Sequence, residues 1–155
     1  MSLSLWRIVK ARHAVSAFDG EGARRYGGRW NPRGNPVVYL GGTLSLAALE
    51  TFVHLAPEDA RLALVAIEVA VPDSMKITEL PAKALPPDWR NEPPPHATQA
   101  LGLAWVKRNE TALLRVPSVI VPHEFNFLLN PNHPAFAKLK IRPPVPFGFD
   151  SRMWK

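Results

Sequence analysis

The chain has 155 residues, 46% of them apolar, no cysteine and a formal net charge of +6. That length builds one domain with a real core; no apolar run approaches the ~20 residues of a membrane-spanning helix, and without thiols neither a disulfide nor a thiolate metal site can form. The basic balance favours an anionic partner, and the absence of an N-terminal basic stretch followed by an apolar signal core points to the cytoplasm.

Residues 3–9 alternate as a strand, with Trp6 and Ile8 on one side and Leu5, Arg7 and Val9 on the other. Residues 10–35 are rich in glycine and arginine and read as a long ordered loop with one helical turn. A loop of that length inside a compact domain is usually functional. Pro36 to Leu40 form a short strand that Gly41-Gly42 breaks. Thr43 or Ser45 caps a helix running to Ala56, stopped by Pro57. Its apolar stripe is Leu46, Leu49 and Val53, with Glu50 at the edge.

Residues 61–71 form the strongest strand, and 75–79 a further short one. The six prolines of residues 81–95 exclude helix and central strand and predict a surface loop. Residues 96–109 form a helix with Leu101, Ala104, Trp105 and Arg108 near one face. Residues 112–121 are a strand pair or one strand bent at Pro117. Residues 125–130 are another strand, and 139–149 a last extended piece. The sum is a single α+β domain over residues 1–155.

The segment Gly27-Gly28-Arg29-Trp30-Asn31, then Val38-Tyr39-Leu40, then Ala47-Ala48-Leu49-Glu50 sets a cation, a ring and a carboxylate close together. That combination suits a pocket for a phosphorylated, ring-bearing ligand. The two glycines let the backbone approach a ligand, and the planar fork of Arg29 suits a phosphate. The bland alternative makes Arg29 a structural arginine tying its loop to a carboxylate. Arg7 either faces solvent or lines the same pocket. Tyr39 is either core or a ring that stacks on a heterocycle. A carboxylate at the position of Glu50 must be paired or kept wet. Ser118 lacks the G-x-S-x-G elbow of an acyl nucleophile; it can bond a ligand or orient Glu50. Gly20-Glu21-Gly22 fails the dinucleotide fingerprint because Arg25 stands where glycine is needed, and His123-Glu124 lacks the second histidine of a zinc-protease helix. No metal is expected from the histidine spacing.

These blocks, with Trp6-Arg7-Ile8 before them and Pro117-Ser118-Val119-Ile120-Val121-Pro122 and Asn126-Phe127-Leu128-Leu129-Asn130-Pro131-Asn132-His133-Pro134 after them, resemble the RES family. Members are the toxins of RES–Xre toxin–antitoxin pairs. The resemblance implies an ADP-ribosyltransferase-like fold with a split central β-sheet, flanking helices and a cleft for NAD as substrate. It makes Arg29, Glu50 and Ser118 the catalytic set. Arg7, Tyr39, Trp30 and Asn126 become NAD-binding residues, and an Xre-like helix-turn-helix antitoxin becomes the partner. Family members destroy NAD by hydrolysis or phosphorolysis, or transfer ADP-ribose to protein. Trp6 departs mildly from the tyrosine common before the first arginine.

The chemistry of the residues agrees. Cleaving the nicotinamide–ribose bond passes through an oxocarbenium-like state that one carboxylate can stabilise. Nicotinamide leaves as a neutral base, so no strong general acid is needed. The acceptor is left open: water, phosphate or a protein side chain. A non-enzymatic nucleic-acid-binding module is the competing reading of the charge, although no recognised module is present and direct nucleic-acid binding is not expected.

Overall fold

The computed structural model describes residues 3–154. Eight strands form one sheet: β1 (Leu3–Lys10), β2 (Val38–Gly41), β3 (Leu64–Val71), β4 (Ile77–Glu79), β5 (Leu113–Pro117), β6 (Phe125–Leu129), β7 (Lys140–Ile141) and β8 (Val145–Phe147). Their order is β4-β5-β6-β2-β1-β3-β7, with β8 also pairing with β3. β4 and β5 run parallel, and the other pairings are antiparallel. Three α-helices flank the sheet: α1 (Glu21–Tyr26), α2 (Leu44–Phe52) and α3 (His96–Arg108). No helix among the described residues is long and apolar enough to cross a membrane.

The sheet is split, as expected. β1 pairs with β3 over its whole length, from Leu3 opposite Val71 to Lys10 opposite Leu64. Toward β2 it pairs only where Trp6 faces Gly41. Beyond that point the two halves diverge. Strand carbonyls exposed by the divergence need other donors, and Arg7 supplies one: its Nη1 donates to Tyr39 O at 3.0 Å.

Each half is buried on both faces. Leu5, Val38, Leu40, Val69, Leu113, Phe127 and Leu129 form the largest core cluster. Trp30, Val37, Trp105, Leu114, Val116 and Leu128 form a second one under α3 and the glycine-rich loop. Ile8, Ala47, Leu64 and Ala66 form a third, between α2 and the β1–β3 half.

Local sequence explains the ends of the elements. α2 starts where the Thr43 side chain accepts from Leu46 N at 3.0 Å, a regular N-cap. It ends at Phe52, short of the expected Ala56. His54 N and Leu55 N bond back three residues, to Thr51 O and Phe52 O. The last turn tightens ahead of Pro57, because the residue before a proline disfavours the α conformation.

The expected stripe on α2 is also corrected. Leu46 and Ala47 are the buried residues of the helix, while Leu49 is 36% and Val53 55% exposed. The reason lies in Gly41, which belongs to β2 rather than breaking it. A Cβ at Gly41 would lie 2.8 Å from Ala47 N. Without one, α2 settles onto the strand along Ala47, and Glu50 turns inward one turn further on. α3 is rotated in the same way. It buries Thr98, Gly102 and Trp105, whereas Ala104 and Arg108 are exposed. Gly102 rests against the Trp30 carbonyl, where any Cβ would collide.

The expected loop over residues 10–35 contains a short 3-10 turn, Ala11–His13, and α1. Gly20 and Gly27, at φ +74° and +73°, bracket α1. The expected strand over residues 112–121 ends at Pro117, and residues 118–124 turn back toward β6.

Candidate active site

The divergence of β1 from β2 opens a cleft of about 1370 Å³. That exceeds the usual few hundred to ~1,000 Å³ of a small-molecule site, so a ligand of dinucleotide size fits. Arg7, Arg29, Tyr39, Glu50 and Asn126 all border it. Ser118 does not.

Glu50 is the best-defined group. Its Oε1 accepts from Asn126 Nδ2 at 2.8 Å and from Ser118 Oγ at 3.0 Å. Charge-assisted bonds of this kind are about twice as strong as neutral ones and fix a carboxylate's direction. Both donors use the same oxygen, and neither uses Oε2. The residue is half-buried on the cleft wall. The carboxylate is thus held by one oxygen and presents the other.

Ser118 is 2% exposed, and every hydrogen-bonding function of its hydroxyl is used. The proton goes to Glu50, while the oxygen accepts from Ile120 N at 3.1 Å and Val121 N at 3.0 Å. Expected in the catalytic set, Ser118 has its proton and both lone pairs engaged with Glu50 and its own turn in this structure. Asn126, expected to bind NAD, borders the cleft and donates from Nδ2 to the same carboxylate oxygen.

Arg7 sits at the mouth of the split. Its Nε donates to Ala17 O at 2.7 Å and its Nη1 to Tyr39 O, so Nη2 carries neither bond. Desolvation lowers its pKa to about 10, partly opposed by Asp19. It remains a cation at neutral pH.

Tyr39 anchors the glycine-rich loop. Its hydroxyl donates to Asn31 Oδ1 at 2.5 Å and accepts from Trp30 N at 3.2 Å. A Cβ on Gly28 would lie 2.7 Å from that hydroxyl, so only glycine permits the approach. Burial pushes the phenol above its ordinary range, and the Trp30 N–H and Arg29 oppose this only in part. Tyr39 is therefore a neutral ring that packs against the second core cluster and borders the cleft.

Trp30 and Arg29 both have partners within the fold. Trp30 borders the cleft but is only 3% exposed, and it packs in the core with Trp105 and with Trp89, whose ring lies 6.2 Å away. Arg29 is engaged by the proline-rich loop: Nη1 donates to Trp89 O at 2.8 Å and Asn91 O at 2.7 Å, and Nη2 to Glu92 Oε2 at 2.9 Å. The bland alternative for Arg29, a tie to a carboxylate, describes these contacts.

The Asn130-to-Pro134 block is structural. Asn130 Oδ1 accepts from Asn132 N, and His133 Nδ1 accepts from Ala135 N. The ring proton is therefore on Nε2, which faces Asn109 O at 3.1 Å. Among the described residues no group of three or more His, Asp or Glu is placed to hold a metal ion.

A family model described as the RES domain matches residues 4–150. A protein of Yersinia enterocolitica named Toxin Res is 38% identical over 152 residues, covering 97% of this chain and 99% of that protein. A Sphingobium protein named Prs ADP-ribosylating toxin is 40% identical over 157 residues, covering 99% and 98%. Among solved structures, the M. tuberculosis MbcT–MbcA toxin–antitoxin complex contains a chain that superposes with a TM-score of 0.77. The match covers 96% of this chain and 85% of that one, and at 22% identity it is a likeness of fold.

Proposed function

This chain belongs to the RES domain family, and from that premise we propose that it is an NAD-consuming toxin with an antitoxin partner. The observation that carries the reading is the Glu50 carboxylate, held at the cleft wall through one oxygen by Ser118 and Asn126.

The reaction needs little else. The C–N bond between ribose and nicotinamide breaks, and its electron pair leaves with the nicotinamide, which becomes neutral. Positive charge develops at the anomeric carbon and ring oxygen. A carboxylate fixed before the reaction stabilises that charge without reorganising. Arg7 and Arg29, both bordering the cleft, hold the diphosphate. The Tyr39 ring flanks the nicotinamide. Attack by water gives ADP-ribose and a proton; phosphate or a protein side chain takes water's place in phosphorolysis or ADP-ribosyl transfer. The name of the Sphingobium relative supports the protein acceptor for a close sequence of this type.

The relatives named as toxins, and the neighbour seen in a toxin–antitoxin complex, support an antitoxin for this chain. We assign it to the Xre-like helix-turn-helix class on the family resemblance, and place the pair in the cytoplasm.

The test is purified protein, freed of any antitoxin, incubated with NAD with and without phosphate, with mass analysis of the products. Free nicotinamide is expected, and the second product identifies the acceptor. Glu50→Gln is expected to lose about 10²–10³-fold in kcat, the scale of a lost preorganised electrostatic group, and to relieve growth arrest with an unchanged circular dichroism spectrum. NAD left intact by the wild-type protein, with growth arrest undiminished in the variant, would sink the reading.

A further inference from the structure

Arg29 touches two kinds of acceptor, and they differ in permanence. The carbonyls of Trp89 and Asn91 belong to a folded loop. Trp89 N donates to Pro86 O at 3.1 Å and Asn91 N to Asp88 O at 2.9 Å, and the Trp89 ring packs on Trp30. These two carbonyls orient the guanidinium through Nη1 and carry no net charge. Glu92 is different. Its carboxylate reaches Nη2 from a side chain that is 77% exposed, whereas that of Arg29 is 14% exposed. Both residues border the cleft. The cation is held by two carbonyls of the loop, and its counter-charge is a largely solvated side chain.

We propose that Glu92 is an internal competitor for the diphosphate of the substrate, occupying at Arg29 Nη2 the seat that a phosphate oxygen takes on binding. The proposal rests on the NAD reading for the identity of the ligand, but the competition at Arg29 applies to any diphosphate. A carboxylate and a phosphate present the same two-oxygen edge to a guanidinium. Binding is then an exchange: the phosphate oxygen replaces Glu92 Oε2, the carboxylate turns to water, and the two carbonyls keep the fork aimed. Because Glu92 is exposed, its ion pair is weak. The competition therefore sets affinity and does not lock the site.

The experiment uses the purified full chain and inorganic pyrophosphate as the probe, measured by calorimetry at constant ionic strength, with NAD turnover in parallel. Glu92→Gln keeps the shape and removes the charge. It is expected to lower the pyrophosphate Kd and the NAD KM by about two- to five-fold, with the effect on KM rather than kcat. In an Arg29→Ala background the Glu92→Gln change is expected to alter neither. Pyrophosphate binding that is unchanged or weaker in Glu92→Gln overturns the proposal, as does an equal gain with Arg29 removed. Tighter pyrophosphate binding beside untouched NAD supports the competitor and removes the NAD reading. NAD consumption with unchanged KM and Kd does the reverse.

Discussion

Replacing Ser118 by alanine tests the central arrangement of the site with one atom. Three hydrogen bonds end on its Oγ: the one it donates to Glu50 Oε1 at 3.0 Å, and those it accepts from Ile120 N at 3.1 Å and Val121 N at 3.0 Å. Ser118 is 2% exposed, so water cannot replace the hydroxyl without opening the turn. Ile120 and Val121 are half-buried, which puts each orphaned N–H near the low end of the usual 1–3 kcal/mol, about 1 kcal/mol apiece. The lost bond to the carboxylate adds about 1–2 kcal/mol, giving a total of about 3–4 kcal/mol. For a chain of this length each kcal/mol moves the midpoint by roughly 2–4 °C, so Tm falls by about 5–15 °C. Urea unfolding and a thermal melt measure it. Glu50 is then held by Asn126 alone, and we expect kcat for NAD to fall about 10–100-fold with KM little changed. Because both donors share Oε1, Ser118→Ala and Asn126→Ala should be non-additive in kcat. A loss below ~0.5 kcal/mol would show that these bonds do not hold the turn. Normal stability-corrected turnover would remove Ser118 as the residue that positions Glu50.

Two glycines in helices should respond in opposite ways. Gly102→Ala drives a Cβ into the Trp30 carbonyl and is expected to destabilise by several kcal/mol or prevent folding, read by expression and circular dichroism. Gly22→Ala meets nothing within 4 Å and lies inside α1, so denaturation should show a neutral change or a gain of up to ~1 kcal/mol. Tyr39→Phe removes the partner of Asn31 Oδ1 and Trp30 N, and about 1–3 kcal/mol is expected to be lost at neutral pH. That deficit has a pH signature. The folded-state pKa of Tyr39 is raised above its ordinary 10.0, so the unfolded chain releases the proton first. Its stabilisation is complete below pH 10 and is lost above it, by up to ~1.4 kcal/mol per pH unit. The gap between wild type and Tyr39→Phe should therefore close with rising pH in that range, and a constant gap would contradict the burial of the phenol. Trp154→Ala removes the ring 4.8 Å from Phe52 at the end of α2, and proteolysis is expected to reach the C-terminal segment earlier.

Turn chemistry and strand alternation were readable along the chain because each acts within a few residues. Thr43 as the cap, Pro57 as the stop and the long β3 strand needed only their neighbours. The ordered blocks around Arg29, Tyr39, Glu50 and Ser118 were enough to identify the family, and the bond from Ser118 to Glu50 was one of two roles the residues allowed. The helix faces were readable only in part: Leu46 and Trp105 are buried as expected, and the rest of each stripe is not. Leu49 and Val53 look like core by hydrophobicity, yet Leu46 and Ala47 face inward, because the missing side chain of Gly41 lets α2 lie closest there.

Nor could the occupancy of each polar group be read. That Asn126 donates to the same oxygen as Ser118, and that Trp30 packs with Trp89 and Trp105, depends on β6 and α3 and not on their neighbours in the chain. Arg29 looks like a waiting phosphate site until the proline-rich loop, some sixty residues on, reaches its fork. Sequence by itself determined which groups with charge, ring or hydroxyl this protein has and which short elements carry them. Tertiary structure alone decided which of those groups are already satisfied by one another, because hydrogen bonds and ion pairs act over about 3 Å of space whatever the separation along the chain.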